Sequence, residues 1–359
     1  MPRKLKVGWI LLFGAAIGLN YLSSFAPAWV EMIYSRTLYP VIGQVLSLVT
    51  GLAPLSLSEV TAVALLVALP ILVIYWFFSC WRQPLNWLRG PWRLLSWISV
   101  AYFCFMLLWG LNYHRLPFAT IAHLPVQPSS VTELNRLCQD LLARANELRQ
   151  SLPEDATGVT SLTGGKWRAL SRANLGYKQL ADRLPALAGR YGLPKGVYLS
   201  EPWSYTGIAG MYFPFTGEAN VNMAVPAPFI PAAACHEMAH QRGFAREDEA
   251  NYIAYLTCIN HPDPEFQYSG VLLALEYASE ALRAEDQAAY SELRQGFGPG
   301  LTRDLQAERE FWQRHSGPIE RLTTNVNDKY LKSNLQNDGV QSYGRMVDLL
   351  LAEQRLNNR

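Results

Sequence analysis

The stretch "ACHEMAHQRGFAREDEAN", residues 234–251, sets two histidines four apart with a glutamate between them, then a glycine, then three consecutive acids. On a helix, side chains at i and i+4 project from one face a turn apart, so His236 and His240 point the same way. Both imidazoles can then reach one zinc ion at a Zn–N distance of about 2.0–2.1 Å. Glu237 is rotated by about 100° from His236, near the place of a water activated by that metal. The metal lowers the pKa of the water toward about 7; the carboxylate takes its proton and hands it to a leaving amine. Gly243 stops this helix, and a second is expected from near Ala245 to about Cys258.

The third ligand must come from Glu247, Asp248 or Glu249. Acids favour the first turn of a helix whatever their role, because of its partial positive charge. The helical faces favour Glu247. It shares its face with Ala250, Asn251, Ala254 and Cys258, small or polar residues that let the two helices approach, whereas Glu249 sits with Tyr252, Ile253 and Leu256. Glu249 stays the second choice. Asn251, one turn after Glu247, is placed to accept a hydrogen bond from a ligating imidazole and fix its tautomer.

Upstream, residues 196–225 mix aromatic and β-branched residues with glycines and read as two or three short strands. Ser130 and Glu133 supply a capping-box start for a helix with an apolar stripe from 131 to 148. Residues 167–187 read as one helix, and further helices are expected at 267–283, 286–294, 301–315 and 318–333, with a helical tail. Residues 128–359 therefore form a mainly helical α+β domain with a small sheet, joined by a proline-containing connector at 113–127.

The first 112 of the 359 residues carry the apolar excess. Residues 7–25, 60–79 and 94–112 are each about long enough to cross a hydrocarbon core of ~30 Å as a helix, which makes residues 1–112 a membrane region of three transmembrane helices. The segment between the first two is apolar but broken by charges and prolines, and reads as surface-lying or re-entrant. Arg3, Lys4 and Lys6 precede the first span, and Arg82, Arg89 and Arg93 lie between the second and third, against Arg36 alone in the intervening loop. The positive-inside rule puts the N-terminus in the cytoplasm and the C-terminal domain outside it. A lipid bilayer is thus one partner. Net charge is only +2 and no basic stripe is interleaved with aromatics, which argues against nucleic acid.

His236-Glu237-Met238-Ala239-His240 followed by Glu247-x-x-x-Asn251 resembles the gluzincin class of zinc metallopeptidases, in which two histidines and a glutamate hold one zinc ion. The spans, "GMYFPFTGEANVN", the histidine motif and the tail "DGVQSYGRMVDLL" together resemble a bacterial membrane family catalogued as domain of unknown function 3810. The likeness implies a zincin-like domain and an edge strand upstream of the metal helix, supplied by Glu218 to Met223 with Asn220, Val221 and Asn222, that holds a peptide by main-chain pairing. Oxyanion stabilisation needs a further donor; Tyr343 is the first choice, with Arg345, Tyr205 and His315 behind it. The function expected is a membrane-anchored zinc peptidase of the bacterial cytoplasmic membrane, acting on peptide or protein substrates with Glu237 as general base. The alternative is a non-catalytic metal- or peptide-binding sensor or assembly factor.

Overall fold

The structure is a computed structural model and describes residues 3–333 and 345–357. Its membrane region follows from uninterrupted apolar sequence. Leu57–Arg82 and Asn86–Leu108 are long and apolar enough to cross a membrane; a third crossing requires Leu11–Ser24 and Pro27–Thr50, bent by 103°, to count as one. The second expected span falls inside Leu57–Arg82. The third ends at Leu108, short of residue 112, because Gly110–His114 forms a tight 3-10 turn into the domain.

Residues 26–56 do more than lie on a surface. Val30–Leu38 winds as a π-helix, closed by bonds such as Tyr39 N–H to the Tyr34 carbonyl, and its wider turn turns Glu31, Tyr34, Ser35 and Tyr39 inward together. The helix that continues to Thr50 docks on the domain. Gln44 Oε1 accepts from the Arg190 amide at 2.8 Å, Ser47 Oγ from Gly192 at 3.0 Å, and Thr50 Oγ1 donates to the Thr216 carbonyl at 2.9 Å.

Three strands make the sheet, β1 (Lys195–Val197), β2 (Gly210–Phe213) and β3 (Glu218–Asn222), in the order β1-β3-β2. β1 runs parallel to β3 and β2 antiparallel to it, with Gly210 opposite Val221 and Met211 opposite Asn220. The expected position of β3 at the edge is therefore corrected: it is the middle strand, buried throughout, and β2 is the edge. The histidine helix, Ile230–Gln241, packs across β3 and β2. Beside it lie Glu247–Ile259 and the long helix Pro264–Glu285, which in turn packs on Val131–Arg149.

The capping box at Ser130 is present. Its Oγ accepts from the Glu133 amide at 3.2 Å and its amide donates to Glu133 at 2.9 Å. The single helix expected over 167–187 is instead Gly165–Arg172, Asn174–Leu180 and a 3-10 turn at Pro185–Leu187. The break lets the backbone at Gly176 touch the Thr257 carbonyl, so closely that a Cβ there would lie 2.1 Å from it.

Sheet and span are bolted together at the start of Leu57–Arg82. The first amides of a helix have no partner within it. Here Glu218 of β3 accepts from Leu57 at 3.0 Å and Ser58 at 2.8 Å, and also pairs with Lys195 at 2.6 Å. Ser56 caps the helix and donates to Asn220 Oδ1 at 2.7 Å, while Glu59 accepts from the amides of Tyr198 and Leu199. Burial pushes the Glu218 carboxyl up, but Lys195 and the helix amides hold it below its ordinary 4.5. A depressed folded pKa contributes stability above pH ~4.5 that is lost on acidification. Glu218→Gln is therefore expected to lower unfolding free energy by about 2–3 kcal/mol at pH 7. Denaturant titration in detergent should show the gap between variant and wild type narrowing as pH falls below about 4.5.

Candidate metal centre

His236 and His240 share a face of a helix that begins with proline and alanines and carries Met238 and Ala239 inward on the core. Gly243, at φ +81°, ends it and lets the chain fold back so that Glu247 opens the next helix opposite both rings. The two Nε2 atoms are 3.0 Å apart; Glu247 Oε2 is 3.2 Å from that of His236 and 3.6 Å from that of His240. A tetrahedral ion with ligands at about 2.0–2.1 Å sets neighbouring donors roughly 3.3 Å apart. The three atoms fit. Among the described residues this is the group of three that meets the geometry of a metal site.

His240 Nδ1 lies 2.7 Å from the Phe244 carbonyl. A carbonyl only accepts, so Nδ1 carries a proton and the other ring nitrogen faces Glu247. Burial opposes charge on His240, but the Glu247 carboxylate outweighs it and pushes the imidazole up to about 9. In the same way burial acts to raise Glu247 while the imidazoles hold it well below the usual carboxylate range. Its side chain and that of His236 are 15% and 14% exposed, so the cluster opens to one side.

Glu237 is buried beside the ligands, and its Oε2 has no hydrogen-bond partner. Burial raises its carboxyl above the usual range, against the pull of the two imidazoles. The edge strand runs against it: a Cβ at Gly210 would lie 2.5 Å from Glu237 Oε1. The Asn222 amide bonds the Ala209 carbonyl at 2.9 Å. By the alternation of an antiparallel ladder, Gly210 and Tyr212 turn their main-chain groups away from β3, and the Tyr212 amide donates to Glu237.

The two candidate glutamates are placed differently, and Glu247 is the one that lies against the histidines. Glu249 accepts from the Phe118 amide and from Arg246, each at 2.8 Å, and holds the connector rather than joining the cluster. Asn251 donates to the Tyr277 hydroxyl at 3.1 Å; the imidazole it was expected to orient is held by Phe244. Asn220 and Asn222 bond within the sheet and its loops, to Ser56, Met211, Ser204 and Ile208, and present nothing to a peptide. Val221 is likewise fully buried in the middle strand. Tyr343 lies outside the described residues. Tyr205 and His315 pack on each other, with His315 bonded to Glu201 and Phe311. Arg345 acts on Asp248.

The aromatic residues that do surround the cluster come from elsewhere. Trp109, one residue past Leu108, sets its ring 5.8 Å from that of His240 and 4.7 Å from that of Tyr212. Tyr113 donates to the Tyr330 hydroxyl at 3.0 Å, with the Trp109 indole a donor toward both, and both tyrosines lie within the field of Glu247. Their sequence signal was a membrane-boundary tryptophan and a turn, which carry no hint of partners as remote as His240 and Tyr330.

Metal analysis of the purified protein is expected to find about one zinc per chain. The metal should be lost in His236→Ala and Glu247→Ala and retained in Glu249→Ala; loss in Glu249→Ala alone would move the third ligand.

No curated protein and no solved structure matches the chain. The family model described as "Protein of unknown function (DUF3810)" matches residues 34–351, and the chain belongs to that family.

Proposed function

We propose that this protein is a membrane-anchored zinc-dependent peptidase with a zincin-like domain. The observation that carries the reading is the placement of Glu237: a buried carboxylate with one unpartnered oxygen, between a three-donor cluster of zinc dimensions and the free edge of a strand. His236, His240 and Glu247 would hold the metal, which supplies a Lewis acid that polarises a carbonyl and acidifies water. A peptide lies along β2, its main chain paired with Gly210 and the Tyr212 carbonyl. Glu237 takes a proton from the attacking water as the new C–O bond forms at the peptide carbonyl. It then delivers that proton to the nitrogen as the C–N bond breaks, leaving a carboxylate and an amine. Tyr330, which accepts from Tyr113 and lies within the field of Glu247, is the candidate donor to the carbonyl oxygen, the part first sought in Tyr343.

Buried polar atoms without partners are rare and ask for an explanation; a general base whose partner is water or substrate is one. A sensor that only binds metal or peptide has no use for such a carboxylate. Glu237→Gln is expected to abolish peptide hydrolysis with zinc content unchanged, and Tyr330→Phe to lower kcat by roughly 10²-fold with a small change in KM. Hydrolysis that survives Glu237→Gln would leave the binding-module reading in its place.

The reading places the domain outside the cytoplasmic membrane of a bacterium. It is supported by the charge asymmetry of the loops and by the ends of the spans: residues 26–56, the start of Leu57–Arg82 and the end of Asn86–Leu108 all meet the domain. A reporter active only in the periplasm, fused after Arg359, should be active, and a cytoplasmic one silent.

A further inference from the structure

Helix Pro318–Ser333 carries an apolar stripe that the other described residues do not cover. Ile319, Leu322 and Val326 are 57%, 65% and 59% exposed, at spacings that align them on one face, while Leu331 is the buried anchor on another. The ends of the helix fix where it lies. Glu320 approaches Gly207, in the loop before β2, and Tyr330 meets Tyr113 and sets its ring 6.5 Å from Phe105, inside the span Asn86–Leu108. The helix thus runs from the edge strand to the outer end of a span, beside the cluster of His236, His240 and Glu247. Leu107, in the last turn of the same span, is 41% exposed. Exposed Arg321 and Lys329 flank the stripe, as in helices that lie in a lipid headgroup layer with their long cations snorkelling to the phosphates.

A second apolar group bounds the other span. Leu52 is 85% exposed and Tyr198 68%, and the Tyr198 amide is bonded to Glu59 in the first turn of Leu57–Arg82. The domain therefore meets the ends of both spans with apolar side chains directed outward.

We propose that helix Pro318–Ser333 lies in the headgroup boundary of the bilayer with Ile319, Leu322 and Val326 toward the acyl chains, and that the site beside it is reached by polypeptides tethered to the same membrane. The helix placement stands on geometry alone; the substrate class rests on the peptidase reading above. Trp109, the residue after the span, touches a metal-ligating ring, so the reacting bond lies at the level of the lipid surface. A soluble peptide reaches that level only by diffusion, whereas a lipid anchor confines it there and raises its effective concentration.

The test uses the full chain in lipid nanodiscs, in a Cys104→Ser parent, since the other four cysteines are buried. Nitroxide labels at Leu322→Cys and Val326→Cys are expected to be more accessible to oxygen than to a nickel chelate, and a label at Asn325→Cys the reverse. Nickel accessibility at all three would put the helix in water and overturn the placement. One cleavable peptide is then supplied with and without a palmitoyl chain. The anchored form should be cut at least about tenfold faster, and Leu322→Glu with Val326→Glu should erase the difference. Equal rates would overturn the substrate class. Cleavage of neither form, with the labels in lipid, would instead sink the peptidase reading and leave the placement standing.

Discussion

The guanidinium of Arg115 lies inside the protein, 1% exposed, with its donors divided between two distant parts of the chain. Nε and Nη2 grip both oxygens of Glu31 at 3.0 and 2.8 Å, Nη1 donates to the Gly243 carbonyl at 2.9 Å, and the plane lies 3.9 Å over the Phe244 ring. The Arg115 carbonyl accepts from Arg246. One residue thus joins the wide-turned helix Val30–Leu38, the turn after Asn86–Leu108, and the bend between the helices Ile230–Gln241 and Glu247–Ile259. Breaking a buried pair by removing one partner costs about 3–5 kcal/mol. The cost here falls on the bend whose Phe244 carbonyl orients His240.

Around that clamp the protein uses buried acids to hold backbone. Glu31, Glu218 and Glu249 are each withdrawn from water and each compensated, by Arg115, by Lys195 with two helix amides, and by Arg246 with the Phe118 amide. Glu237 differs in its partner. It is as buried as they are, and its Oε2, like that of Glu249, has no hydrogen-bond partner, a state that costs about 1–3 kcal/mol. Among the described residues, however, no arginine or lysine pairs with it as Arg246 pairs with Glu249.

The histidine helix, its glycine stop and the glutamate that follows were legible because they follow local rules: i,i+4 spacing, a left-handed glycine and the composition of a helical face. The small and polar residues beside Glu247 pointed to the glutamate that lies against both histidines. What could not be read was tertiary. Strand order decides that β2 and not β3 offers an edge, and nothing in "EANVNM" distinguishes a middle strand from an edge one when both are short and polar-rich. Residues 26–56 have charges in apolar surroundings and look like a poor membrane helix. Their meaning appears only when π winding turns Glu31 inward to meet Arg115. Trp109 and Tyr330 likewise acquire a role through contacts remote in sequence.

The distances along the chain between those partners have a consequence for how the protein is made. Glu31 waits for Arg115, 84 residues later; Ser56, Leu57 and Ser58 wait for the strand at 218–220, more than 160 residues on. Non-local pairings of this length form late, after the loop-closure entropy has been overcome. The spans must therefore enter the bilayer while a buried carboxylate and the open amides of a helix still lack their partners. The reverse also holds. A fragment cut free after residue 112 would lose Glu31, Tyr39, Ser47 and Trp109 from its interior, so the C-terminal domain and the apolar N-terminal region are one cooperative unit and not a module on a tether.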